Sequence, residues 1–424
     1  MLIGFRFSNF RSFLTEQNFS YSTSSDRTHE STHVLETGMK AVPRISKSAI
    51  VFGANASGKS NILVALAVLR DMMLHSTAYS EAQFAERHTP FRFGPSAALP
   101  TEFEIDVLLD HVRYRYAMAY DSARILSERL LVYRTGKSQR WFDRRLDTVT
   151  NSQEWAPFSP NFNGPREMWR KATRPRALFL TTAAQLNSDQ LAPLLHWAEH
   201  RLEVLFPAEL SDISRFAHRL EDDYFKTRLL SMLHSVDIRV DDVRLAEQDS
   251  ATVEPVDQSS RLPPRPPSLA SRVTGRRSVE FLHAGADGLK VWLDSVFEAS
   301  GTHRLLALFA PLINAIEEGK LLLIDEFDSG LHPLVARFVV RLINDPRIST
   351  RGAQLLLTSH NITLMDLDIL RRDEIWLAEM GADQASNLVP LLRSSPRKHE
   401  MIAKNYLRGR YGAVPHIGLT AGNG

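Results

Sequence analysis

The sequence predicts an α/β fold in which a parallel sheet carries a glycine-flanked loop, an antiparallel β subdomain accompanies it and a helical insertion interrupts it. Three observations predict this. The short apolar run Ala49-Ile50-Val51-Phe52 ends at a glycine, and helix-like spacing of Ile62, Leu63, Leu66 and Leu69 follows from about Ser60 to His75. Three later apolar runs, 321–324, 355–357 and 375–377, alternate with helical stretches, as a parallel sheet requires. Between these regions, 103–107 and 112–118 alternate apolar and polar residues, with turn residues at Asp110-His111 and Asp121-Ser122, and read as an antiparallel meander.

Along the chain, residues 2–7 alternate as a half-buried strand, and 20–47, rich in Ser, Thr and His, read as loop. The run Ala177-Leu178-Phe179-Leu180 reads as a further strand. From 188 to 247 the periodicity turns helical (Leu191, Leu194, Leu195, Ala198, then Phe216, Leu220, Phe225, Leu229, Leu230). Pro-Pro-Arg-Pro-Pro at 263–267 marks 250–278 as a linker, since proline fixes φ and donates to no ladder. A strand at 279–283 and a helix at 302–318 complete the reading. The expected organisation is a first lobe over 1–187, an insertion with its linker over 188–278 and a second lobe over 279–424.

Composition narrows the function classes. The chain has 424 residues and 43% hydrophobic ones, enough for a large core. It has no cysteine, which removes disulfides and thiolate metal sites and permits an intracellular setting. With 51 Lys+Arg against 49 Asp+Glu, any nucleic-acid surface must be a local patch. No apolar run is long enough to span a bilayer, and the alternating N-terminus lacks a signal peptide's apolar core. The expected location is the cytoplasm, with no membrane partner.

Gly53-Ala54-Asn55-Ala56-Ser57-Gly58-Lys59-Ser60 fits G-x-x-x-x-G-K-[ST] between an apolar strand and a helix. Glycines let backbone amides point at phosphate oxygens, the lysine reaches the β- and γ-phosphates, and the serine hydroxyl binds Mg²⁺. The following helix offers its N-terminal dipole to the anion. Gly53, Asn55, Ala56, Ser57, Gly58, Lys59, Ser60 and the adjoining Asn61 are therefore the expected nucleotide contacts. Leu321-Leu322-Leu323-Ile324-Asp325-Glu326 reads as a buried strand ending in two carboxylates. Acidic residues at a strand end are commonly solvated loop residues. Paired with a phosphate loop, Asp325 is the expected Mg²⁺ ligand, and Glu326 the general base that polarises the attacking water.

In order and spacing the chain resembles the ABC-type ATPase heads of the RecF, SMC and OLD proteins, which implies an ABC-ATPase head fold binding ATP and Mg²⁺. Asn9-Phe10-Arg11-Ser12-Phe13 resembles the element after the first strand of these heads, where the basic residue lies near the nucleotide. Gln185 stands where the family has its Q-loop glutamine, a contact of metal and water. Glu298-Ala299-Ser300-Gly301-Thr302-His303-Arg304 resembles the signature loop, so Ser300, Gly301 and Thr302 are expected at the γ-phosphate held by another subunit. Asp328-Ser329-Gly330-Leu331-His332-Pro333 resembles the D-loop, and His360 the switch histidine. The resemblance implies two copies paired head-to-tail around two ATP molecules.

Thr302 and His303 stand where the transporter signature Leu-Ser-Gly-Gly-Gln ends, which argues against a transporter subunit. The motifs and the tail Asn405–Pro415 are more similar to the AAA-labelled ATPases of abortive-infection and phage-defence operons. That resemblance implies a sensor or scaffold ATPase that controls a separate nuclease or toxin subunit. The departures at Ala299 and His303 imply slow hydrolysis. The rival reading is a RecF- or SMC-like repair ATPase that clamps DNA. Basic clusters around Trp169 (Arg166, Arg170, Lys171, Arg174, Arg176), around Trp141 (Arg140, Arg144, Arg145) and at Arg393, Arg397 and Lys398 would serve it by tracking phosphates and stacking bases. Solvated surface is the commoner role for such clusters. Asp366-Leu367-Asp368 has nuclease-like spacing but lacks the upstream acidic strand and separate domain a nuclease needs, and reads as a surface pair. The histidines show no zinc spacing.

Overall fold

The computed structural model describes residues 1–134, 136–147, 149–247, 277–397 and 400–415. Ser48–Phe52, buried at every position, forms the strand that feeds the phosphate loop. It lies between Gln354–Ser359 and Ile375–Met380, parallel to both, with Ile50 opposite Leu357 on one side and Ile375 on the other. Unbroken burial is what a central parallel strand covered on both faces requires. The whole sheet runs Leu202–Leu205, Leu321–Ile324, Gln354–Ser359, Ser48–Phe52, Ile375–Met380, Ser386–Pro390, the last strand antiparallel to its neighbour. The helix Lys59–His75 follows the loop and buries Ile62, Leu63, Leu66 and Leu69, the residues that predict it.

A second sheet of seven strands is the antiparallel subdomain. Its order is Ser152–Trp155, Gln139–Asp147, Ile125–Tyr133, Val112–Tyr120, Thr101–Leu109, Leu2–Ser8, Gln17–Ser20. The hairpin at Asp110-His111 pairs Leu109 with Val112, and both turn residues are left-handed (φ 47° and 63°), the two-residue turn that matches strand twist.

By its internal contacts the chain divides into two units. One comprises Met1–Val204, Ile316–Ser329 and Ala336–Gly424, and holds both sheets described so far. The other comprises Leu205–Ala315 and Gly330–Val335. The second unit has a three-stranded antiparallel sheet, Asp242–Glu247, Arg277–Ala284 and Lys290–Asp294, and a helix Asp223–Ser235, with Phe225, Leu229, Val243 and Phe281 in its core.

Three local expectations change. Ala177–Leu180 is not a strand: a helix, Phe179–Gln185, begins inside it. The cause is a long-range cap. The Glu128 carboxylate accepts the Phe179 and Leu180 amides at 2.7 and 2.9 Å, satisfying donors that open the helix. Glu128 is itself buried against Arg144 at 2.7 Å and Tyr116. Residues 20–47 hold a short helix, Glu30–His33, and the strand pair Val34–Glu36 with Arg44–Ser46. The 188–247 stretch is helical only in part, for it contributes the strands Leu202–Leu205 and Asp242–Glu247. The proline cluster 263–267 lies outside the described residues.

Candidate functional site

The phosphate loop is shaped by what surrounds its glycines. A Cβ on Gly53 would lie 2.3 Å from the Ala378 carbonyl oxygen, so the loop leaves the sheet in a space only hydrogen fits. Gly58 is left-handed (φ 96°), and a Cβ there would lie 2.4 Å from Ser386 Oγ and 2.8 Å from Ser12 Oγ. Gly58→Ala should therefore lower stability by about 2 kcal/mol and weaken ATP binding at least about tenfold. Thermal unfolding and ATP titration check this; an unperturbed variant would refute the tight-loop account.

Within the loop Lys59 is buried, and its Nζ donates to the carbonyls of Gly53 (3.0 Å) and Ala54 (2.7 Å). Burial lowers its pKa to about 8, against the opposing pull of Asp325, Glu326 and Asp328, so it remains a cation at neutral pH. Ser57 Oγ is buried without a hydrogen-bond partner among the described residues, and Asn55 and Ala56 stand exposed. A buried cation and an unpaired hydroxyl in a glycine-lined cradle at a helix N-terminus fit a polyphosphate.

The carboxylates meet this loop across the sheet. Asp325 Oδ1 accepts from Ser60 Oγ at 2.9 Å and from Thr358 Oγ1 at 2.6 Å. Thr358 Oγ1 in turn accepts the Glu326 amide at 2.8 Å. Glu326 takes a left-handed backbone (φ 47°), a conformation costly for a non-glycine residue and concentrated at functional sites. A hydroxyl and a carboxylate converging beside a phosphate cradle are a donor set of oxygens suited to Mg²⁺. Thr358→Val keeps the shape but removes the acceptor of the Glu326 amide and a donor to buried Asp325, and should cost about 1–3 kcal/mol, read by denaturant unfolding. An unchanged midpoint would contradict this role.

Arg11 projects from a turn in which Asn9 and Arg11 are both left-handed and the buried Phe10 and Phe13 exchange backbone hydrogen bonds. Its Nη1 donates to Asn61 Oδ1 at 3.3 Å, and Asn61 Nδ2 donates to Ser12 Oγ at 2.8 Å. Ser12 also contacts Ser386, through Ser386 N to Ser12 O at 2.7 Å and Ser386 Oγ to Ser12 Oγ at 2.8 Å. His360 immediately follows the strand Gln354–Ser359. Its pKa is lowered by burial and by the charge of Lys59, against Asp328, Glu326 and Asp325, which places the ring in the electrostatic reach of the same cluster.

Other elements carry the remaining expected residues. Gln185 is exposed at the end of the helix Phe179–Gln185, which is anchored through Thr181 to Met73, in the last turn of Lys59–His75, and to Ser76, which caps that helix. Ser300, Gly301 and Thr302 belong to the second unit, at the start of the helix Ser300–Glu318. Ser300 and Gly301 are exposed, with open space around a Cβ at Gly301, whereas Thr302 turns inward and is buried. His303 Nε2 donates to the Ser295 carbonyl, so this departure from the common signature has a structural partner, and the neighbouring Glu298 pairs with His283.

Sequence reasoning missed Thr358, Ser12 and Ser386. Thr358 stands two residues before the histidine, and only the register of the parallel strands brings it to Asp325. The stacking platforms anticipated for nucleic acid do not form: Trp141 and Trp169 are buried, and Arg144 is buried with Glu128. Lys398 lies outside the described residues. Asp366 accepts from Arg337 Nη2 at 2.7 Å and from the Asp368 amide at 3.0 Å, which makes the pair a turn.

A family model described as "AAA domain, putative AbiEii toxin, Type IV TA system" matches residues 48–366, most of the chain. No curated protein matches it. Similar solved structures include the SMC head domain from Thermotoga maritima, at 14% identity over 92% of this chain and 98% of that chain, TM-score 0.40. Another is the Smc head domain with an extended coiled coil bound to the C-terminal domain of ScpA derived from Pyrococcus furiosus, at 14% identity over 92% and 95%, TM-score 0.41. A third is the Smc head domain with a coiled coil and joint derived from Pyrococcus yayanosii, at 11% identity over 96% and 99%, TM-score 0.43.

Proposed function

The chain belongs to this AAA-domain family and has the P-loop fold of an ABC-type ATPase; from that premise we propose that it binds ATP·Mg²⁺ between two copies of itself, hydrolyses it, and so controls a separate effector subunit. The observation that carries the proposal is the joined cluster of Lys59, Ser60, Asp325, Thr358 and Glu326 at one mouth of the parallel sheet. Lys59 neutralises the β- and γ-phosphates, and the amides opening Lys59–His75 cradle them. Mg²⁺, when held by Ser60 and Asp325, supplies further charge neutralisation on the phosphates. Glu326 takes a proton from the attacking water, and His360, its pKa lowered, is neutral at pH 7 and positions the γ-phosphate side of the site. Gln185, at the end of the helix Phe179–Gln185, would contact metal and water as the Q-loop glutamine. Chemistry of this kind is mostly positioning and charge stabilisation.

Ser300 and the Gly301 amide, exposed at the start of a long helix, support the pairing of two copies, each capping the phosphate held by the other. The family's description, a putative toxin of a type IV toxin–antitoxin system, supports a place in a defence module. No helix among the described residues is long and apolar enough to cross a membrane.

The test is recovery of tagged Glu326→Gln protein from its native host with ATP present. A stoichiometric toxin- or nuclease-like subunit, lost with Lys59→Ala, is expected. Recovery of DNA with repair proteins, or of a permease, would overturn the effector reading and leave the ATPase assignment standing.

A further inference from the structure

The stretch after the last sheet strand lies beyond the matched family region yet reaches back to the phosphate loop. The Ala54 amide donates to the Ala413 carbonyl at 3.0 Å. The same carbonyl accepts from Tyr406 OH at 2.8 Å. On its other side, the Ala54 carbonyl accepts from Lys59 Nζ at 2.7 Å and from the Ser57 amide at 3.3 Å. Ala54 is thus gripped by the tail through its N–H and by the phosphate-binding lysine through its C=O.

The tail is built to hold that grip. Tyr406 and Tyr411 are buried. Glu400 ties the segment into a hook: its Oε1 accepts from Asn405 Nδ2 at 2.7 Å and Tyr411 OH at 2.8 Å, and pairs with Arg410 at 2.7 Å. Gly409 and Gly412 (both φ 74°) make the bend that turns Ala413 toward the loop. A Cβ on Gly412 would lie 2.5 Å from Glu379 Oε2, so the bend sits tight against the strand Ile375–Met380.

We infer that residues 400–413 form a clasp that presets the phosphate loop for nucleotide, with Tyr406 and the Ala413 carbonyl as positioning groups. Without the clasp the Ala54 peptide is free to turn, and with it the carbonyl on which Lys59 rests. Loop preorganisation is then lost, and the cost falls on nucleotide binding rather than on the chemical step. The inference rests on the nucleotide-site reading above.

The test is Tyr406→Phe, which keeps the buried ring and removes one hydrogen bond, beside Gly412→Ala, which displaces the bend. Tyr406→Phe should bind ATP about fivefold more weakly, with kcat at saturating ATP and Tm unchanged. Faster hydrogen exchange at the Ala54 amide is expected in both variants, with a larger affinity loss in Gly412→Ala. Wild-type affinity and wild-type Ala54 exchange in both variants would overturn the clasp. So would a weakening in Tyr406→Phe that only tracks a fall in Tm. If the wild-type chain itself bound no ATP, the nucleotide-site reading would fail instead, and Ala54 exchange would still report on the clasp.

Discussion

Lys59→Ala should bind ATP at least about a hundredfold more weakly than the wild type, with its folding intact. The side chain carries the buried cation of the loop, and its pKa, lowered by burial to about 8, leaves it charged at pH 7. Charge-assisted hydrogen bonds contribute roughly 1.5–3 kcal/mol each, and a lysine reaching two phosphates makes two, so the loss is two or more powers of ten. Stability should change little. Among the described residues Nζ donates to the Gly53 and Ala54 carbonyls, and Ala54 keeps its bond from the Ser57 amide. Isothermal titration with ATP reads the first effect, and thermal unfolding the second. Near wild-type affinity in Lys59→Ala would remove this loop from the nucleotide site.

Glu326→Gln should lower turnover by about 10²–10⁴ while ATP affinity stays within a few-fold of wild type. The substitution removes the proton acceptor and keeps what places it. The left-handed backbone at φ 47° and the amide bond to Thr358 are main-chain features that glutamine shares. Single-turnover hydrolysis separates the chemical step from binding. Turnover equal to wild type would show that another group activates the water.

The legibility of the fold tracks how local each signal is. The phosphate loop is contiguous, and the strand Ser48–Phe52 and helix Lys59–His75 that frame it carry their own apolar patterns. The strand Leu321–Ile324 is equally plain because a central parallel strand shows no alternation. Ser60 and Asp325 are 265 residues apart and still foreseeable as neighbours, because both chemistries demand the same ion. Thr358 has no such demand behind it: its role arises from the register that sets Leu357 against Ile324. Leu178-Phe179-Leu180 misleads because a short apolar run fits a strand or a buried helix equally, and the deciding cap, Glu128, comes from a distant strand. The tail's grip on Ala54 is a main-chain contact, so no side-chain pattern announces it.

The central claim, that ATP is bound between two copies, is tested most directly by sedimentation of Glu326→Gln protein with saturating ATP·Mg²⁺ and without nucleotide. The account predicts a species of twice the 47.9 kDa chain mass with ATP that dissociates when nucleotide is removed. A chain that stays monomeric while saturated with ATP would contradict it.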